Sequence, residues 1–265
     1  MIIDAHCHIH TLRWVKPKKT DDFLIKEFNI TSLENEVLDN MREANIDKTI
    51  IFPMPSIEIN LEAANIYCLY LSKLYSNNFI PFAIIDEKPE KWIEFGIKGF
   101  KEHTFGQRIQ KDKYGNNIFS QKFKQTYKLI AEKEIPLLLH AGENRVDRIK
   151  NDMLKDVPNL KIILAHLGAD FPERNNYNPE KSQVEKTLKS LKHIPNIMFD
   201  IAAIRDIDLL KMAIDIVGIE KLIFGSDFPY EKPINTIKRI NRLNLSDTEL
   251  EQLCYLNIAS FIGEK

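Results

Sequence analysis

Six of the seven histidines in this chain stand at or just past the C-terminal ends of runs that read as β-strands. His6, His8 and His10 close the first run, His103 the fourth, His140 the fifth and His166 the sixth; Asp227 takes the corresponding place in the eighth. Imidazole nitrogens and carboxylate oxygens are the donors of a catalytic divalent ion, which keeps one position open for water or substrate. Strand side chains alternate in direction, so His6 and His8 point one way and Cys7 the other, toward the helix layer. Two imidazoles so placed grip one ion from inside a barrel. His140 and Asp227 add a third nitrogen and a carboxylate from strands on the far side. Zinc is the expected ion, and manganese or cobalt suits the same donors. Taken singly, a His-x-His or a buried His-Ala-Gly is as well explained by a hydrogen-bonded core histidine. Five such residues at equivalent strand ends favour the metal.

The elements that must position these residues are eight short aliphatic runs, at 1–9, 48–55, 79–85, 96–103, 135–142, 161–168, 196–203 and 221–229. Most are nearly continuous in apolar character, as strands covered on both faces must be. Helical stripes alternate with them. Leu33, Val37, Met41 and Ala44 mark one, opened by Thr31 and Glu34 as a capping box. Leu61, Ala64, Cys68, Leu71 and Tyr75 mark another. Phe123, Tyr127 and Ile130 precede the fifth strand, Val184, Leu188 and Leu191 the seventh, and Leu209, Ala213 and Val217 the eighth. The pattern around 88–95 is the weakest. A last helix runs from Ser246, with Glu249 as its capping-box partner, to about Ile262. This alternation predicts an α/β fold, a single (β/α)8 barrel over residues 1–265 with an extra C-terminal helix.

The bulk properties fit that reading. The 265 residues are near the roughly 250 typical of such a barrel. A net charge of −1 gives no electrostatic case for nucleic acid or membrane partners. Three widely spaced cysteines, Cys7, Cys68 and Cys254, suit reduced thiols. The first apolar run is too short, and lacks the basic flank, for a signal peptide, and no stretch approaches the roughly 20 apolar residues of a membrane span. A cytoplasmic protein acting on a small molecule is the expectation.

DAHCHIH, LLLHAG, ILAHLG and FGSDFP, in that order, resemble the amidohydrolase superfamily. More closely they resemble its amidohydrolase-related (amidohydrolase 2) branch of metal-dependent TIM-barrel hydrolases and decarboxylases, and LNIASFIG is similar to that branch's closing helix. The resemblance spans essentially the whole chain. It implies that His6, His8, His140 and Asp227 hold the metal, that His166 contacts the substrate or its reacting group, and that Asp227 moves protons. It also implies a choice at Lys101, which shares a strand face with His103. In binuclear relatives a strand-four lysine is carbamylated and bridges two ions, whereas the flanking residues here look more like the mononuclear branch. His103 is expected to touch substrate, with a structural hydrogen bond as the alternative. Glu102 should face the helices. Asp4, of the same parity as His6, is expected one layer deeper, bracing the ligands.

Such a centre activates water for hydrolysis of a small substrate, the first expectation. The same parts run a non-oxidative decarboxylation, the alternative. A catalytically inactive metal-binding barrel is a third reading, which no missing residue supports. Arg13, Arg108, Arg145, Arg174 and Arg205 fall in different βα loops, where a barrel selects its substrate. Arg13 and Arg205 lead the expectation of a small anionic substrate, since guanidinium pairs bidentately with carboxylate; exposed polar loops are the plainer explanation of the rest. Trp14, Phe105, Tyr114, Phe119, Phe171 and Tyr177 are candidates for a pocket wall. Family analogy allows a homodimer.

Overall fold

The computed structural model describes residues 1–9, 34–54, 60–103, 123–141, 146–169 and 179–264. Outside them lie His10, Arg13, Trp14, Thr31, Leu33, Phe105, Arg108, Tyr114, Phe119, Arg145, Phe171, Arg174 and Tyr177, and with them the expected capping box of the first helix.

Eight parallel strands follow one another in sequence order: β1 (Ile3–Ile9), β2 (Lys48–Pro53), β3 (Phe79–Ile84), β4 (Gly99–His103), β5 (Leu137–His140), β6 (Ile162–Leu164), β7 (Ile197–Asp200) and β8 (Leu222–Ile223). The segment after β8 runs back along β1. Ala5 N donates to Phe224 O at 3.0 Å, Asp227 N to His6 O at 2.8 Å and His8 N to Phe228 O at 2.8 Å, bringing the sheet nearly to closure. Helices alternate with the strands, as in a (β/α)8 barrel.

The continuous apolar character of the strands follows from two buried faces. Ile3, Ile50, Phe52, Ile80, Phe82, Leu138, Ile163 and Ile223 fill the barrel interior. Ile51, Ala83, Phe100, Leu137, Leu139, Leu164, Phe199 and Cys7 belong to the larger cluster between barrel and helices. Cys7 therefore faces the helix layer, as expected. The C-terminal helical stretch carries Ile258, Ala259 and Phe261 into the interior cluster. Asn257 anchors it, donating to Ile219 O and Leu222 O at 2.7 Å each. Its capping box is present: Glu249 N donates to Ser246 Oγ (3.3 Å) and Ser246 N to Glu249 Oε2 (2.8 Å).

Helices also form where the residue pattern carries no firm expectation. The weak pattern near 88–95 is a helix over Pro89–Glu94, tied down by Trp92, whose Nε1 donates to Asp86 Oδ2 at 2.8 Å. Pro233–Ile240 is a helix with proline in its first turn and Thr236 and Ile240 buried. Helical turns also run from Val146 to Asp156, with a π-helical stretch at Ile149–Met153. No helix among the described residues is long and apolar enough to cross a membrane.

Glu102 is buried in the helix layer, as expected from its parity, and accepts a hydrogen bond from Tyr127 Oη at 2.8 Å. Burial raises its pKa from 4.5 to about 7, against the opposing pull of that bond. A carboxyl whose folded pKa lies above its unfolded value favours the fold at low pH and loses that advantage as pH rises through the window from 4.5 to about 7. At about 1.4 kcal/mol per pKa unit the loss is on the order of 3 kcal/mol. Glu102→Gln is expected to flatten stability against pH in that window, measured by urea unfolding at pH 4.5, 6 and 8. A slope unchanged from the parent would contradict this assignment.

Candidate metal centre at the barrel mouth

His6 and His8 project from β1 into the C-terminal mouth with Cys7 facing away, as alternation predicts, but that alternation does not extend back to Asp4. Ile3 and Ala5 also lie in the interior cluster, and the pairing of β1 with β2 shifts between Asp4 and Cys7. An extra residue in a strand reverses the parity beyond it. Asp4 is therefore not one layer below His6, and the expectation for it needs correcting. Its carboxylate reaches the neighbouring segment, accepting from Ser226 N (2.9 Å), Ser226 Oγ (2.6 Å) and His6 N (3.0 Å). It braces the backbone of His6 and the turn before Asp227, rather than the imidazole rings. Gly225 permits the close approach there: a Cβ at that position would lie 3.0 Å from His6 Cβ and 3.3 Å from Ala202 Cβ.

Asp227 adopts φ 66°, a left-handed backbone that costs a non-glycine residue on the order of 1–3 kcal/mol. His166 and Leu167 (φ 56° each) and Ala203 (φ 55°) do the same. These residues lie in the segments that follow β6, β7 and β8. Asp227 Oδ1 lies 3.3 Å from His6 Nε2 and 3.2 Å from His8 Nε2, and all three residues are buried. His8 Nδ1 and Asp227 Oδ1 are buried atoms that make no hydrogen bond among the described residues. A buried carboxylate oxygen facing two imidazole nitrogens without a shared proton is costly. A divalent cation, for which all three atoms are donors, removes that cost, so the residues fit the ion expected from the sequence.

The other rings pack round this trio. The His166 ring lies 4.7 Å from that of His6 and 4.8 Å from that of His140, and His140 stacks on His103 at 4.2 Å. His140 thus shares the pocket, but it is not in the tight group of His6, His8 and Asp227 whose donor atoms lie within 4.8 Å of one another. His103 is placed against His140. Lys101, fully buried, brings Nζ to 3.5 Å from His6 Nε2. Arg205 stands in the segment after β7, 42% exposed, with Nε 4.0 Å from the buried Glu231. Glu231 is also bound by Arg239.

Burial dominates the electrostatics. It raises the Asp227 carboxyl from 3.8 to about 6, against the opposing charges of His166, Lys101 and Arg205. It lowers His6, His8, His103 and His140 well below the ordinary imidazole range and lowers His166 as well. Neutral imidazole is the form that ligates metal.

Asp200 is a site residue that the sequence reading missed. It ends β7 with the inward parity of Met198, the same signal that picked out the histidines. His6 Nδ1 lies 2.8 Å from its Oδ2, while His166 N (2.7 Å) and Ala202 N (3.1 Å) donate to its Oδ1. His166 Nδ1 in turn donates to Ala202 O at 2.9 Å. Tyr230 is a second such residue, its ring edge-on to His8 with centroids 5.9 Å apart.

A parallel barrel with imidazoles and carboxylates converging on one mouth belongs to the class that carries its chemistry at the C-terminal ends of the strands. The chain is a member of the amidohydrolase family, whose sequence model matches residues 79–263. It is 27% identical over 118 residues to 2-amino-3-carboxymuconate-6-semialdehyde decarboxylase of Dictyostelium discoideum, a match spanning 40% of this chain and 32% of that one. An amidohydrolase of Burkholderia multivorans with bound zinc shares the fold, with a TM-score of 0.78 and 13% identity over 99% of both chains. Dihydroxybenzoic acid decarboxylase of Polaromonas sp. JS666, with bound manganese and the inhibitor 2-nitroresorcinol, superposes at a TM-score of 0.73 and 14% identity, over 99% of this chain and 96% of that one. At these identities the two solved structures bear on the fold alone.

Proposed function

We propose that this protein is a metal-dependent, non-oxidative decarboxylase of a small unsaturated or aromatic carboxylic acid. The observation that carries the proposal is the meeting of Asp227 Oδ1 with Nε2 of both His6 and His8, buried and without a hydrogen bond among them. His6, His8 and Asp227, joined by His140 from β5, would hold one divalent ion, zinc or manganese. The match to 2-amino-3-carboxymuconate-6-semialdehyde decarboxylase favours this reaction over the hydrolysis that the sequence reading put first.

A bound divalent ion supplies Lewis-acid polarisation of substrate oxygens. Asp227 carries the proton to be transferred on Oδ2, the carboxylate oxygen that does not face His6 and His8. That proton adds to the carbon bearing the carboxylate. The carbon–carbon bond then breaks, its electron pair restores the unsaturation that protonation removed, and CO2 leaves. Solvent returns a proton to Asp227. His166, with Nδ1–H given to Ala202 O, has Nε2 as its acceptor nitrogen and receives a hydrogen bond from a hydroxyl beside the reacting carbon. Arg205 at the rim orients the substrate's carboxylate, and His103, against His140, lines the same pocket.

The test is CO2 release from a panel of 2-hydroxybenzoates and short unsaturated acids, with aryl esters and lactones run in parallel. We expect CO2 from at least one acid, from zinc- or manganese-loaded protein. Ester or lactone hydrolysis without any CO2 would reverse the proposal in favour of hydrolysis.

A further inference from the structure

Asp200 makes hydrogen bonds that converge from β1 and from the segments after β6 and β7. One carboxylate oxygen meets the Nδ1 of His6, on β1; the other takes the backbone amides of His166 and Ala202. A carboxylate accepting from an imidazole Nδ1–H leaves the lone pair on Nε2, and His6 Nε2 is the atom 3.3 Å from Asp227 Oδ1. The amide it accepts from His166 belongs to a residue in the left-handed region (φ 56°, ψ 39°), followed by Leu167 in the same conformation. Two consecutive residues of that kind persist only where the surroundings over-determine them.

We propose that Asp200 is a positioning residue that does two things at once. It sets the tautomer of His6, so that Nε2 faces the ion, and it holds the turn that presents His166. The first part rests on the metal-site reading given above; the second does not. Asp200 touches neither the ion nor the reacting carbon. It acts through His6 and through the His166 backbone, tying the candidate ligand on β1 to the candidate catalytic histidine after β6.

Asp200→Asn separates the two parts. The amide can keep both backbone hydrogen bonds only with its oxygen toward His166 N and Ala202 N, which turns its NH2 toward His6 Nδ1. That group donates, so Nδ1 must become the acceptor, and the ring proton moves to Nε2, where it blocks ligation. The variant should therefore keep the His166 turn and lose metal. We expect its zinc dissociation constant, measured by competition with a chromophoric chelator, to rise about 10–100-fold. Nitrogen-15 NMR of histidine-labelled, metal-free protein should show His6 as the Nδ1–H tautomer in the parent and the Nε2–H tautomer in the variant. A parent with His6 protonated at Nε2, or a variant binding zinc as tightly as the parent, would overturn the assignment while leaving the metal centre intact. A parent that binds no zinc would instead overturn the metal centre, and its His6 tautomer would still decide the role of Asp200. If Asp200→Asn does not fold, the parent tautomer decides alone.

Discussion

Asp227→Asn is expected to reduce decarboxylation by roughly a thousandfold or more. The carboxylate has two duties at one position. In the proposed reaction it is both a metal ligand beside two imidazoles and the group whose proton reaches carbon. General acid–base catalysis contributes about 10²–10⁴-fold by itself. Asparagine keeps the size and the tolerance of left-handed backbone that φ 66° demands, so the fold should survive. What disappears is the titratable proton and one negative charge from a site crowded with nitrogen. The check is turnover of the best acid at saturating zinc or manganese, together with far-UV circular dichroism. A variant that keeps a tenth of the parent rate would mean that the proton comes from elsewhere.

His166→Asn should also cost a large part of the rate, with a different pattern. Asparagine again suits the left-handed turn, where His166 sits at φ 56° and ψ 39°. Its backbone amide still reaches Asp200 Oδ1. The ring is lost, and with it the nitrogen assigned to the substrate hydroxyl. We expect kcat to fall about 10²–10⁴-fold with the metal content of the parent. Loss of metal in step with loss of rate would instead make His166 a ligand, a role its closeness to His6 and Asp200 makes geometrically reasonable. Metal analysis beside the kinetics separates the two.

The barrel was legible because parallel strands covered on both faces must be continuously apolar, and eight such runs recur between amphipathic stripes. Where those runs stop being strands was not legible. The stretches 161–168, 196–203 and 221–229 end as strands at Leu164, Asp200 and Ile223, and left-handed residues follow at His166, Ala203 and Asp227, which apolarity does not record. The placement of Asp4 failed for a related reason: parity arguments assume an unbroken pleat, and β1 is irregular between Asp4 and Cys7. Asp200 had the same signal as the histidines, an inward position at a strand end, and was passed over in a run that otherwise reads as plain core. The helix at Pro233–Ile240 was announced by its proline and by Ile234, Ile237 and Ile240, a stripe too short to stand out. The order of the two reactions was beyond sequence patterning, since hydrolysis and decarboxylation need the same ion, carboxylate and imidazole.

The measurement that reaches the centre of this account is metal content per chain, by inductively coupled plasma mass spectrometry on protein purified without a histidine tag or chelator. The account predicts about one zinc or manganese ion per chain in the parent and none in His6→Ala. Parent protein without a bound ion after incubation with either metal, while folded, would contradict it.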